Sequence, residues 1–150
     1  MLMKIFDISG SAMSAQSIRL NTTASNMANA NNAAGSPDEA YKARYPIFAA
    51  AHADAMKAGS FGTEGFGTEM FNSASAGVRV LGITESNRPL EPRYEPGHPL
   101  ADENGNVFYP DVNIVEEMTN MISTSRSFQM NVDVMNAAKT MMQRVLSLGQ

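Results

Sequence analysis

Apolar residues recur at seven-residue intervals at both ends of the chain. The interval links Phe6, Met13, Leu20 and Met27 near the amino terminus, and Ile114, Met121, Phe128, Met135 and Met142 near the carboxy terminus. An α-helix completes a turn in about 3.6 residues, so a seven-residue repeat keeps such residues along one slowly drifting face. The pattern therefore predicts two terminal helices with the periodicity of a coiled coil.

The positions four residues further on complete each repeat. They are Gly10, Ser17, Ala24 and Asn31 in the first helix, and Met118, Ser125, Val132, Lys139 and Leu146 in the second. We expect the helices to pair as an antiparallel coiled coil, with the small residues allowing close approach. The residues predicted to pack the helices and to contact neighbouring subunits are Phe6, Gly10, Met13, Ser17, Leu20, Ala24, Met27, Ile114, Met118, Met121, Phe128, Val132, Met135, Met142 and Leu146. A helical hairpin that binds other molecules but stays monomeric is the alternative.

Glycine and proline divide the chain into two predicted domains. Residues 1–34 and 111–150 are expected to form one coiled-coil domain, and residues 35–110, which contain every proline, a variable β and loop domain. The second helix has capping signals in Asn113 and Glu116, and a stop signal in Gly149. The first helix is rich in Ser, Thr and Asn, whose side chains compete for backbone hydrogen bonds. We therefore expect the first helix to depend on packing partners.

The middle of the chain is predicted to contain short β-hairpins. Aromatic and β-branched residues favour strands at 41–48, 78–83 and 107–109, and Asn104-Gly105 is typical of a two-residue hairpin turn. Residues 49–77 are rich in Gly, Ala and Ser, which predicts a flexible loop. Docking of Phe61, Phe66 and Phe71 on a neighbour is an alternative for this loop. The predicted fold class is mainly α with a small, partly irregular β insert.

The second helix also carries half of the methionines in the chain. Six of the 12 lie there: Met118, Met121, Met130, Met135, Met141 and Met142. Methionine is unbranched and adapts to irregular surfaces, which suits a helix that faces several different neighbours. An ordinary buried core is the alternative interpretation. Two helices and a small β insert offer little else to cover these side chains, which favours association with other chains.

Composition and charge argue against several classes of function. The 11 basic residues are scattered and the net charge is -4, which argues against a nucleic-acid partner. The absence of cysteine removes disulfides, cysteine-bound metals and thiol nucleophiles. The longest apolar run, 47–51, is far too short to span a membrane. No cleaved signal peptide is expected, because Asp7 and Ser9 interrupt the apolar residues at the amino terminus.

Catalytic and metal-binding candidates are sparse. His52 and Asp54 are spaced to share a metal ion, but a solvated loop is the preferred interpretation of two isolated residues. Residues 102–113 begin like a calcium loop, yet Val107 stands where that motif needs Gly, and Asn113 where it needs Glu. We therefore predict no enzyme activity, no cofactor and no metal site.

Several blocks of the sequence resemble the bacterial flagellar rod and hook proteins. The run LNTTASNMANAN at 20–31 resembles their Asn/Ala-rich amino-terminal signature. The blocks YEPGHPLADENGNV at 94–107, PDVNIVEEMTNMI at 110–122 and SRSFQMNVDVMN at 125–136 resemble the proximal rod proteins in particular. The chain departs from the family pattern in its long segment 49–77 and in the sequence NAAG at 32–35.

The resemblance implies a structural subunit of the proximal rod, the torque-transmitting shaft of the flagellar basal body. Members of the family build a coiled-coil domain from their two termini. The resemblance also implies export by the flagellar type III apparatus to the periplasm, and assembly with copies of the chain and with other rod proteins. The MS-ring and the ring proteins around the rod are further candidate partners. Another axial protein, or an enzyme that acts on the cell wall, is the alternative.

Overall fold

The computed structural model describes residues 2–51 and 77–148 of the chain. Two long helices enclose four short strands in sequence order. The elements are α1 (Leu2–Asn29), β1 (Arg44–Ala50), β2 (Val78–Glu85), β3 (Glu91–Tyr94), β4 (Asn106–Tyr109) and α2 (Ile114–Leu148). The predicted fold class is confirmed in its two terminal helices and its small β insert.

Helix α2 begins at the cap that the sequence predicts. The side-chain oxygen of Asn113 accepts hydrogen bonds from the backbone amides of Val115, at 3.0 Å, and Glu116, at 3.4 Å. These bonds satisfy two of the amides that have no partner inside the helix. The negative side chains of Glu116 and Glu117 lie in the first turn, where they interact favourably with the positive end of the helix dipole. The predicted stop at Gly149 lies outside the described residues.

The two helices pack against each other along their length. Their polar contacts occur in opposite order along the two elements, since Asn26 meets Glu117 and Arg19 meets Asn120. This order is that of an antiparallel pair. The β1–β2 hairpin also packs against α1.

A row of positions three residues after the first row contains several buried residues. Its buried members are Ser9, Thr23 and Ala30 on α1 and Glu117, Thr124 and Ala138 on α2. Within this chain the expected row is instead exposed at Ser17, Ala24 and Met118. Gly10 and Val132 of the expected row are half-buried. The role of the expected row in contacts between subunits stays a prediction.

Two antiparallel hairpins form the β part of the structure. Strands β1 and β2 pair from Arg44 opposite Glu85 to Ala50 opposite Val78, with a bulge between Ile47 and Phe48. Strands β3 and β4 form a second, separate two-stranded sheet. Strands β1, β2 and β4 overlap the predicted segments. Strand β3, which contains Pro92, was not predicted, because proline is a weak strand signal.

The connection between β3 and β4 spans residues 95–105, so the predicted two-residue turn at Asn104-Gly105 is wrong. The carboxylate of Asp102 accepts hydrogen bonds from the amides of Asn104 and Asn106, both at 2.8 Å. This side chain shapes the end of the loop and delivers the chain into β4. Gly105 still serves a turn, since its backbone has a φ of 78°.

Most of the predicted loop at 49–77 falls outside the described residues. Strand β1 extends through Ala50, and the description resumes at Gly77. The candidate docking residues Phe61, Phe66 and Phe71, and the candidate metal residues His52 and Asp54, all lie outside the described part.

The buried apolar residues are small. Among the described residues they are Ala15, Ala30, Ala34, Ala40, Ala43, Val107 and Ala138. Ala34, five residues after the end of α1, forms two backbone hydrogen bonds with Phe108 of β4, at 2.9 and 3.0 Å. The division of the chain into domains at residues 34 and 111 stays a prediction.

We expect Gly105→Ala to lower the free energy of unfolding by about 1–2 kcal/mol, because side chains disfavour its positive φ. An added Cβ would also lie 3.0 Å from Cε2 of Tyr94 and 3.2 Å from Cβ of Pro96. Urea unfolding followed by circular dichroism measures the change. Gly97→Ala is the control, since a Cβ there meets nothing within 4 Å. Equal stability of both variants would contradict the strain at Gly105.

Candidate subunit interface

A buried asparagine on α1 joins three segments that are distant in sequence. Asn26 is 0% exposed. Its side-chain oxygen accepts hydrogen bonds from the amide of Arg44, at 2.8 Å, and from the hydroxyl of Tyr41, at 2.9 Å. Its side-chain nitrogen donates to the carbonyl of Arg44, at 3.0 Å, and to the Glu117 carboxylate, at 3.4 Å. One amide therefore links α1, the start of β1 and the first turn of α2.

The carboxylate of Glu117 is the second member of this polar cluster. Glu117 is 2% exposed, and it forms a hydrogen bond with the hydroxyl of Tyr45 besides that with Asn26. Burial raises the pKa of Tyr45, and the negative charges of Glu117 and Glu116 raise it further, while Arg88 lowers it. A buried carboxylate needs such donors, because removing it from water without partners costs several kcal/mol. We call Asn26, Glu117, Tyr41, Tyr45 and the Arg44 backbone the polar node.

The sequence did not reveal the polar node. Asn26 does not stand out, because it lies among many uncharged polar residues. Glu117 follows Glu116 in the first turn of a helix, where acidic residues are common at the surface. The available signal was that Glu117 follows Ile114 by three residues and so shares the periodic face of the helix. Its partner could not be read from that spacing, since Asn26 is 91 residues away.

Buried hydroxyl side chains on both helices bond to their own backbone. Thr22 donates to the carbonyl of Arg19, at 2.9 Å, and Thr124 donates to the carbonyl of Asn120, at 2.7 Å. Arg19 also donates to the side chain of Asn120 across the helix pair, at 3.3 Å. These bonds satisfy the hydroxyl groups of Thr22 and Thr124 where the two helices bury them.

The residues predicted to pack the helices and to contact neighbouring subunits differ in their exposure within this chain. Half-buried members are Phe6, Gly10, Met13, Met27, Met121, Val132, Met135 and Met142. Exposed members are Ser17, Leu20, Ala24, Ile114, Met118, Phe128 and Leu146. The exposed group leaves surface for other molecules, and contact of either group with a neighbouring subunit stays a prediction.

Exposed apolar residues form a stripe along α2. The stripe consists of Val115, Met118, Ile122, Met130, Val134, Met141 and Val145, and we call it the outer stripe. Its exposed fractions run from 48% at Val134 to 72% at Val115. Successive members are three, four, seven or eight positions apart, so each lies near the next, and the stripe turns by about 120° around the helix from Val115 to Val145. Other large apolar residues are exposed on the β1–β2 hairpin, among them Ile47, Leu81 and Ile83.

Clusters of metal-ligand side chains and membrane-spanning helices were sought among the described residues. Across residues 2–51 and 77–148, no group of three or more His, Asp or Glu side chains is placed to hold a metal ion. Within the same ranges, neither helix is apolar enough over a sufficient length to cross a membrane.

Two family models match the ends of the chain. The model described as flagella basal body rod protein matches residues 6–35. The model described as flagellar basal body rod FlgEFG protein C-terminal matches residues 103–148. The two matches cover α1 and α2, the elements that build the helix pair and its outer stripe. Both matches concern flagellar rod proteins, the class that the sequence blocks resemble.

Full-length relatives narrow the class to one family. The flagellar basal-body rod protein FlgC of Salmonella typhimurium is 44% identical over 149 residues, which cover 99% of this chain and 98% of the relative. FlgC of Escherichia coli O157:H7 is 43% identical with the same coverage. FlgC of Borreliella burgdorferi is 31% identical over 153 residues, again covering 99% of this chain. The chain belongs to the FlgC family of flagellar basal-body rod proteins.

We expect Asn26→Ala to lower the free energy of unfolding by about 3 kcal/mol, because the Arg44 amide and the Glu117 carboxylate lose a buried partner. Urea unfolding measures the loss. The exposed Asn21 on the same helix provides the control, since Asn21→Ala is expected to change stability by less than about 0.5 kcal/mol. Similar effects of both substitutions would contradict the central place of Asn26.

The raised pKa of Tyr45 predicts a loss of stability at alkaline pH. Since the folded chain holds this proton more tightly, its contribution is complete below the ordinary tyrosine pKa of 10.0 and is lost as pH rises through the folded pKa. We expect Tyr45→Phe to make stability less dependent on pH between about pH 9 and pH 11.5. Urea unfolding across that range measures both slopes. Identical slopes would show that the Tyr45 proton is not coupled to folding.

Proposed function

We propose that this chain is a structural subunit of the proximal rod in the flagellar basal body. In this role it polymerises with copies of itself and with other rod proteins into the shaft that transmits torque. Membership of the FlgC family supports the role. An enzyme of the cell wall and a monomeric binding module are less well supported, because the family consists of rod proteins.

The distribution of apolar residues is the observation that carries this proposal. The described part of the chain buries six alanines and one valine, while large side chains such as Val115, Met130 and Met141 are more than half exposed. An isolated globular protein places its large apolar residues inside, and an extended exposed apolar surface marks a contact with another molecule. The outer stripe runs along much of α2, as expected for a helix that packs beside other helices.

The energy available from covering this surface is large. Burying one large apolar side chain contributes about 1.5–3 kcal/mol, and the outer stripe alone offers seven such residues. Part of this gain offsets the entropy lost when the subunit is fixed in place. Several neighbours that each cover a few residues would give a stiff assembly, which is what a rotating shaft requires.

We further propose that α1 and α2 form the coiled-coil domain of the subunit. The support is that Glu117, Thr124 and Ala138 are all buried at intervals of seven and fourteen residues, and that polar contacts occur in opposite order along the helices. The polar node would fix the register of the pair, because sliding by one turn would leave Asn26 and Glu117 buried without partners. A fixed register gives the outer stripe the same axial position in every subunit, so each neighbour meets the same surface.

The contacts between subunits would be of the head-to-tail kind, in which two different surfaces meet. Such contacts produce an open helical tube unless the rotation between subunits closes a ring. The exposed part of α1 around Ser17 and Ala24 is one candidate partner for the outer stripe, since its side chains are small. The rings around the rod, including the MS-ring, would contact the outside of the tube.

Export through the flagellar type III apparatus to the periplasm fits the same physical picture. A narrow export channel requires an unfolded chain. A core made mostly of alanine stabilises a subunit only modestly, so the isolated chain would unfold at low cost and gain order on assembly. The export route and the periplasmic location are parts of the proposal.

Replacing a small residue on the outward side of α1 tests the proposed assembly. We expect Ala24→Leu to reduce rod assembly and motility strongly, because a larger side chain keeps the neighbouring helix away. The free energy of unfolding of the subunit should change by less than about 0.5 kcal/mol, since Ala24 is exposed within the chain. Electron microscopy of isolated basal bodies and motility in soft agar measure the effect.

Ala24→Ser is the matched control, because it keeps the side chain small at the same position. We expect normal rods from this variant. Normal rods from Ala24→Leu as well would contradict a close contact at this position.

A further inference from the structure

The methionines of α2 divide into two sets with different exposure. Met118, Met130 and Met141 are 50%, 68% and 60% exposed, and we call them the outer methionines. Met121, Met135 and Met142 are half-buried on the side that faces α1, and we call them the inner methionines. The two sets lie on the same helix and differ mainly in access to solvent.

We propose that the outer methionines are an oxidation site through which peroxides block assembly of the free subunit. The methionine thioether attacks one oxygen of the peroxide, the O–O bond breaks, and the other oxygen leaves as water after taking a proton. The sulfur loses two electrons and becomes a sulfoxide, while the peroxide gains two electrons. Methionine sulfoxide reductases reverse this change.

The composition of the chain directs this chemistry to methionine. The chain contains neither cysteine nor tryptophan, so peroxide meets no competing thiol or indole within the subunit. Accessibility then decides between the methionines, because a thioether packed against another helix is harder for the oxidant to reach. Among the methionines of α2, the outer methionines are accordingly expected to react before the inner methionines.

A sulfoxide changes the surface on which the subunit assembles. It replaces a flexible apolar group with a strongly polar one. All three outer methionines belong to the outer stripe, so oxidation would introduce polar groups at three points along it. This consequence rests on the proposed function, in which neighbouring subunits cover the outer stripe. Subunits already in the rod would be protected, so the sensitivity belongs to the unassembled chain.

The reaction rates test the site itself. The full-length chain is treated with hydrogen peroxide under native conditions, and the sulfoxide at each methionine is followed by peptide mass spectrometry. We expect the outer methionines to oxidise roughly twofold or more faster than the inner methionines. Unfolding the chain in urea before treatment should remove the difference. Equal rates in the folded chain, or faster oxidation of the inner methionines, would overturn the proposal.

Leucine variants test the consequence for assembly. Leucine is apolar, close to methionine in size and not oxidised by peroxide. One variant carries Met118→Leu, Met130→Leu and Met141→Leu, and a matched variant carries Met121→Leu, Met135→Leu and Met142→Leu. Each variant is compared with its own untreated sample, because the substitutions lie in the proposed contact surface. After mild peroxide treatment we expect the first variant to polymerise as its untreated sample does, measured by sedimentation with other rod subunits. The matched variant and the unaltered chain should lose most of their polymerisation and recover it with methionine sulfoxide reductase.

The outcomes separate this proposal from the proposed function. Equal loss of polymerisation in both leucine variants, or no loss in the oxidised unaltered chain, would overturn the role of the outer methionines in assembly. Failure of the untreated chain to polymerise would contradict the proposed function instead. The oxidation rates of the two sets would still decide the site in that case.

Discussion

One buried cluster of polar groups ties the two helices to the start of β1. Asn26 uses both its oxygen and its nitrogen to hold the start of β1, the hydroxyl of Tyr41 and the carboxylate of Glu117. In a subunit whose described core is mostly alanine, this cluster contributes much of the specificity of the fold. Hydrogen bonds are directional, so the cluster permits one register of the helices, whereas alanine contacts would tolerate several.

The helix pair fully buries few large apolar residues. Its buried positions hold small residues and hydroxyl groups such as those of Thr22 and Thr124, which bond to their own backbone, while Met121, Met135 and Met142 are half-buried. Large residues such as Ile122 and Met130 are left on the outside. The subunit is therefore modest in its own stability and rich in surface that gains free energy when it is covered. Both properties suit a part that is stable only in an assembly.

Physical limits separate what could be predicted from what could not. The capping of α2 by Asn113, the positions of three strands and the two helices follow from local signals. Intervals of three and four residues both fit a seven-residue period, so spacing alone did not decide that Glu117 is buried and Met118 is exposed. The loop before β4 was misjudged, because the side chain of Asp102 closes a longer connection than Asn104-Gly105 alone would need.

The sequence by itself determined the helical termini, their shared period and the family, since these depend on spacing and on residue types that are close together in the chain. Only the tertiary structure decided which side of each helix is buried, which methionines are exposed, and that Asn26 and Glu117 belong to one cluster. The physical reason is that these properties depend on groups from distant segments meeting at hydrogen-bonding distance. Spacing along a chain gives the direction of a side chain, but it does not name the atom that the side chain meets.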